Sequence, residues 1–208
     1  MITRRTAGAA LLVYALATFT AGVLIAAPGG DYEPALVGDF VSSGHTTTAF
    51  AAAYLGILGS VALLPFVLWA RAELAHLGEL AWGLGVAAAT TGVVGWFITG
   101  GVAVAMAEGG SGVRAGVAAP TVYAMTEVGN LIAWCAPALL VGIVAILLSR
   151  GAALPRWLRV FSVVAGVCGI LAPFYFTFFI YLLWALVLGV VLVSRRVRIA
   201  AQPQPSLV

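Results

Sequence analysis

Six long apolar stretches separated by short polar loops fill this chain from residue 7 to residue 193. An apolar run of about 20 residues crosses the roughly 30 Å hydrocarbon core of a bilayer as a helix. Inside that core the backbone must satisfy its own hydrogen bonds, and a helix does so within one segment. The predicted spans are 7–27, 46–70, 80–107, 120–148, 155–172 and 174–193. The expected fold is therefore all-α: a polytopic membrane helix bundle of six transmembrane helices. It uses 1–199 and leaves no room for a separate soluble domain. The tail 200–208, with Pro203 and Pro205, has too few apolar residues to pack and is expected to be disordered.

Charge gives the orientation. Arg4 and Arg5 precede the first span and Arg71 follows the second. Arg150, Arg156 and Arg159 lie between the fourth and fifth, and Arg195, Arg196 and Arg198 follow the sixth. The opposite loops hold Asp31, Glu33, Asp39 and Glu108 against Arg114 alone. An excess of basic residues in alternate loops marks the cytoplasmic side, so both termini are expected to be cytoplasmic. The first span could be read as a secretory signal, because Arg4-Arg5 resembles its basic leader. Its apolar stretch is longer than the usual 7–15 residues, about 20. Its Ile25-Ala26-Ala27 end also lacks the first small residue of a cleavage site. An uncleaved helix is the expectation.

Composition narrows the function classes. Apolar residues make up 63% of the chain and charged residues 8%, against about 25% charged in an ordinary soluble domain. The net charge of +3 comes from arginines flanking spans, so nucleic acid is not an expected partner. Lysine is absent, which excludes a Schiff-base lysine and with it a retinal photoreceptor of the usual kind. All-arginine basicity with abundant Ala, Gly and Val points to a bacterial chain in the inner membrane.

Small residues recur at four-residue spacing. Ala52, Gly56 and Ser60 do so in the second span, and Ala88 with Gly92, and Thr91, Gly95 and Thr99, in the third. Ala165 with Gly169 and Ala185 with Gly189 repeat it in the last two spans. Such stripes let helix backbones approach closely where lipid removes the hydrophobic drive for helix association.

The stretch Leu154-Pro155-Arg156-Trp157-Leu158-Arg159, leading into Phe161-Ser162-Val163-Val164-Ala165-Gly166, resembles a Pro-Arg-Trp-Leu segment of an uncharacterised family of six-helix bacterial membrane proteins, a domain of unknown function. The resemblance implies a six-helix integral membrane protein and carries no activity. Each residue also has a local reason. A Pro starts a helix, an Arg holds the cytoplasmic side, and a Trp suits the interface.

Glu127 is the one acidic residue well inside a predicted span. It lies about 10 Å along the helix from Pro120, in the outer third of the bilayer. A charged group at such depth faces a protein interior or a water-filled cavity. Tyr123, Glu127, Asn130 and Trp134 follow at spacings of one helix face and could form a polar wall for a cation, a proton or an amine. The bland reading is a glutamate that ties two helices together. His45, at the outer start of the second span, is a further candidate, as a relay partner of Glu127, as a metal ligand with acidic loop residues, or as a residue bonded to nearby backbone, the last being the expectation. His45 and His76 belong to opposite membrane faces and cannot share a haem or zinc ion. No C-x-x-C joins Cys135 and Cys168, and G-x-S-x-G, H-E-x-x-H and G-x-x-x-x-G-K are absent. No metal, cofactor or catalytic residue is implied.

Three readings follow. The first is a small permease-like or ligand-binding membrane protein with an outward-facing polar site around Glu127, taking a small molecule or cation. The second is a non-catalytic accessory subunit with a membrane-protein partner. The third is an integral-membrane enzyme on a lipid-like substrate, with Glu127 and His45 as its acid/base pair. An odd number of spans in each half also admits an inverted repeat, with Pro65-Phe66 matching Pro173-Phe174.

The topology is testable by cysteine labelling. In a variant without Cys135 and Cys168, single cysteines at Ser43 and Ser111 should react with an impermeant thiol reagent from outside. Cysteines at Ser149 and Ser194 should not. Labelling of Ser194→Cys from the exterior would sink the six-span arrangement.

Overall fold

The computed structural model describes residues 2–25, 46–108, 118–151, 154–174 and 177–194. These residues form six α-helices and no strand: α1 (Arg4–Ile25), α2 (Thr46–Glu73), α3 (Gly78–Glu108), α4 (Ala119–Ser149), α5 (Arg156–Ile170) and α6 (Phe178–Ser194). α1 to α4 are each long and apolar enough to cross a membrane. α5 and α6 are shorter, at 15 and 17 residues. At 1.5 Å per residue they reach about 22 and 26 Å.

Local chemistry sets the helix ends. The Thr3 side chain accepts a hydrogen bond from the Thr6 backbone N–H at 3.1 Å and so caps α1. Pro155 lies one residue before α5 in extended conformation rather than inside its first turn, and its carbonyl accepts from the Arg159 N–H. The sixth helix starts later than the apolar pattern predicts. Ala172–Phe174 form a 3-10 turn, closed by the Phe174 N–H on the Leu171 carbonyl, and α6 begins at Phe178. Pro173 inside that turn has no N–H to continue a helix.

α2 and α3 are joined by a 3-10 turn, Ala75–Leu77, in which Ala75 takes a left-handed φ of 45°. Gly78 follows because the Arg71 carbonyl occupies the place its Cβ would take. Arg71 pairs with Glu79 and lies 5.9 Å from the Trp82 ring centroid, which ties the two helix ends together. His76 is exposed in this turn.

Each helix packs on its neighbours in sequence, and α6 packs back on α1, so the six close into a ring. The outside of the ring is apolar: Val13, Leu16, Phe19, Leu58, Phe97, Val160 and Val164 are all exposed. Several polar side chains turn inward, while Thr20 and Thr90 are exposed. Thr18, Ser60, Thr99, Thr126 and Ser162 are buried. Ser60, Thr126 and Ser162 each donate to the carbonyl four residues earlier, which satisfies them without a second helix. An apolar exterior of this extent fits lipid as solvent.

Two apolar clusters fill the interior. The larger joins Tyr14, Leu63, Phe66, Val141, Tyr181, Trp184 and Leu188. The smaller, toward the C-terminal end of α1 and the N-terminal end of α4, joins Ala21, Ile25, Ala52, Trp96 and Ala133 with Trp134 against them. Cys135 and Cys168 are free and partly buried.

The small-residue stripes lie where helices meet. Gly56 faces the Trp96 ring, Gly92 faces Ser60, and Gly95 faces the backbone of Ala133 and Gly129. Gly169 faces Ala138 and Gly142, and Gly189 faces Gly8 and Leu12. The proposed repeat pair does not correspond. Phe66 is fully buried in the core, whereas Phe174 is 72% exposed at the end of a turn.

These contacts make opposite predictions for two glycines of α3. A Cβ at Gly95 would overlap the Ala133 backbone, which cannot rotate away, whereas Gly83 has nothing within 4 Å. Gly95→Ala should destabilise by about 1–3 kcal/mol. Gly83→Ala should be neutral or stabilise by up to about 1 kcal/mol through helix propensity. Thermal unfolding of both variants in detergent provides the comparison.

Candidate functional site: a polar chain between α3 and α4

α4 presents two faces over its first half. Met125, Val128 and Leu131 are exposed, while Tyr123, Thr126 and Gly129 are buried and Glu127, Asn130 and Trp134 partly buried. The spacing from Tyr123 to Trp134 therefore does place those four side chains on the packed side. Their roles differ. Glu127 and Asn130 join a hydrogen-bonded chain, whereas Trp134 stacks in the aromatic interior.

Thr99 of α3 completes the chain. Its hydroxyl donates to Asn130 Oδ1 at 3.3 Å, and Asn130 Nδ2 donates to Glu127 Oε1 at 3.4 Å. Every donor in this sequence points toward the carboxylate. Both links lie beyond the usual range for hydrogen bonds, so they hold the groups loosely. The chain exists because position 129 is glycine. A Cβ there would meet Thr99 Oγ1 and the Thr99 backbone nitrogen, so any side chain would push α3 away and part Thr99 from Asn130.

Below the chain lie two indoles. Trp96 is three residues before Thr99 on α3, and Trp134 four residues after Asn130 on α4. Their ring centroids are 6.1 Å apart. Trp134 also packs on Phe178 of α6, at 4.7 Å between centroids, and over the bare backbone of Gly22 of α1. The site thus belongs to α3 and α4, with α1 and α6 closing its inner side.

His45 lies outside the described residues, as do the acidic residues Asp31, Glu33 and Asp39 of the same predicted loop. Among the described residues no group of three or more His, Cys, Asp or Glu is placed to hold a metal ion. The chemistry on offer includes a carboxylate that accepts from an amide on its own helix, with the two indoles one to two turns further along. A carboxylate can accept a charge-assisted hydrogen bond from an ammonium or another cationic donor.

Thr99 and Trp96 were not among the residues singled out from sequence as candidates. Thr99 reads there as one member of a small-residue stripe, and Trp96 as one more apolar position. Only the register of α3 against α4 brings them to Asn130 and Trp134.

No family model matches this chain, and neither curated proteins nor solved structures give a match.

The chain can be tested by coupling. Thr99→Val keeps the branched shape and removes the donor, and should cost about 0.6–2 kcal/mol, the range for hydrogen bonds between membrane helices. In an Asn130→Leu background the same change should cost less, because its partner is gone. Strictly additive losses in thermal unfolding would contradict the Thr99–Asn130 bond.

Proposed function

We propose that this is a six-span protein of the bacterial inner membrane with cytoplasmic termini, and that it binds or passes a small ammonium-bearing ligand at Glu127. The closed ring supports six spans, since α5 packs on α4, and α6 on both α5 and α1. The arginines at residues 4, 5, 71, 150, 156 and 159 all lie at or near one set of helix ends, which supports the orientation. The resemblance of Pro155-Arg156-Trp157-Leu158 to the uncharacterised six-helix family points the same way.

The observation that carries the functional reading is the directed chain from Thr99 through Asn130 to Glu127. A carboxylate at this depth is costly and is kept where it has a task. An incoming ammonium would offer Glu127 a shorter, charge-assisted hydrogen bond than the 3.4 Å bond from Asn130. The arriving charge also brings Coulombic attraction, which a neutral amide lacks.

A specific observation favours the rival reading, in which the protein is an accessory subunit and Glu127 only joins helices. The backbone contact of Gly95 with Gly129 and Ala133 sits at the same level as the polar chain. Hydrogen bonds at a close helix crossing are a common means of fixing register in lipid.

Glu127→Gln separates the two, because Gln keeps the shape and hydrogen bonding and loses the charge. Wild-type protein in nanodiscs should bind hexylamine, read by calorimetry and by a raised unfolding temperature. Glu127→Gln should fold with unchanged stability and lose that binding at least about tenfold. A Gln variant indistinguishable from wild type in both measurements would leave only the structural reading. Glu127→Leu should then cost about 0.6–2 kcal/mol of stability.

A further inference from the structure

The bundle satisfies a buried indole where only packing is required. Trp184 is fully buried, and its Nε1 donates to Ser162 Oγ at 2.9 Å. Ser162 in turn donates to the Leu158 carbonyl. The Tyr181 hydroxyl likewise donates to Tyr14 at 3.1 Å. Beneath the Glu127 chain the pattern breaks. Trp96 is fully buried and its Nε1 has no partner. The neighbouring Trp134 Nε1 is buried and has none either. On α1, the buried Thr18 hydroxyl is also without a partner, one turn before Gly22, whose backbone faces the Trp134 ring.

A buried donor left unmade loses its hydration without return, so native proteins seldom keep one. Two on rings whose centroids are 6.1 Å apart form a small cluster of donors. An indole N–H can only donate, so what completes the cluster must accept. The acceptor's charge can be argued as well. Among the described residues the arginines lie near helix ends, and none is beside these rings. An anion held at this depth by neutral donors alone would carry a large desolvation penalty. An uncharged oxygen of the carbonyl type meets the same donors without that penalty.

We propose that the Trp96–Trp134 pair is the carbonyl-binding end of the Glu127 site. Its ligand is a short molecule with an ammonium at one end and an uncharged carbonyl oxygen at the other. The inference rests on the reading of Glu127 as a ligand carboxylate and adds the second recognition point. Asn130 and Trp134 are about 6 Å apart along α4, and Glu127 and Trp134 about 10 Å. A chain of a few methylenes joins the two ends. Phe178 and the faces of the two indoles provide apolar surface for it.

Three probes separate the two ends: ε-aminocaproamide, which carries both groups; hexylamine, which lacks the carbonyl; and caproamide, which lacks the ammonium. The full chain in nanodiscs is titrated with each by calorimetry. Resonance Raman spectra excited in the indole band report whether indole N–H groups are hydrogen-bonded. The amino amide should bind about tenfold more tightly than hexylamine, because its oxygen gains a buried indole donor. It should also shift the indole N–H band of the wild-type protein, a readout that needs no variant. Trp96→Phe and Trp134→Phe keep a ring and remove the donor. Each should lower binding of the amino amide several-fold more than binding of hexylamine, which has no oxygen to lose a donor. Glu127→Gln should instead abolish hexylamine binding.

Equal binding of amino amide and hexylamine would overturn the carbonyl end and leave the Glu127 reading standing. Indole bands already hydrogen-bonded without ligand, and unmoved by the amino amide, would mean a bound water only and would also overturn it. If neither amine binds wild-type protein, both the inference and the reading beneath it fail.

Discussion

Helices in lipid gain little from hiding apolar surface from one another, because the tails around them are just as apolar. What remains is contact at short range, and this bundle obtains it by removing side chains. α3 meets α4 backbone to backbone at Gly95, Gly129 and Ala133. α4 meets α5 at Gly142, Gly166 and Gly169, and α6 meets α1 at Gly189 and Gly8. The rest of the arrangement follows from these approaches. Thr99 reaches Asn130 because nothing projects from position 129. Trp134 reaches across to α1 because nothing projects from Gly22. A bulky residue at one of these points would do more than create a local clash. It would move a whole helix and pull apart the polar side chains that the contact aligns.

Close contact also decides how the interior can be filled. With backbones this near, the remaining volume is taken by flat side chains in an unbroken series. Trp69, Phe66, Trp184, Tyr181, Phe178, Trp134 and Trp96 follow one another at centroid separations between 4.7 and 6.2 Å. Aromatic pairs at such separations contribute beyond their buried area. The series links both apolar clusters and touches α2, α3, α4 and α6. Toward its Trp69 end the indole of Trp184 is hydrogen-bonded to Ser162. At its other end the buried indole donors of Trp96 and Trp134 have no partner. The same packing device thus gives a closed interior at one end and a chemically unfinished one at the other.

The polar groups have no water to fall back on, and each solution in the structure reflects this. Ser60, Thr126 and Ser162 bond back to their own helices. Tyr14 and Tyr181 bond to each other across the ring closure of α1 and α6. Glu127 and Asn130 depend on a neighbouring helix through Thr99. In the last case the bond from Thr99 to Asn130 depends on the register of α3 against α4, so a helix displacement would break it.

The helices themselves were legible from the chain alone, because lipid leaves one answer for a long apolar run and arginine placement distinguishes its two ends. The face that carries Tyr123, Glu127, Asn130 and Trp134 was legible too, since helical period alone aligns residues three and four apart. The small-residue stripes announced where helices would touch. They did not announce which partner each stripe would meet, because Gly95 packs equally well, as far as local sequence goes, on any other bare backbone. Pro65-Phe66 and Pro173-Phe174 are identical dipeptides with opposite fates, one in the core and one at an exposed turn, since burial is a property of the neighbours. For the same reason Thr99 and Trp96 could not be joined to the candidate site in advance. A hydrogen bond between helices and an indole without a partner exist only once the register of α3 on α4 is set, and that register depends on contacts spread over both helices rather than on any one residue.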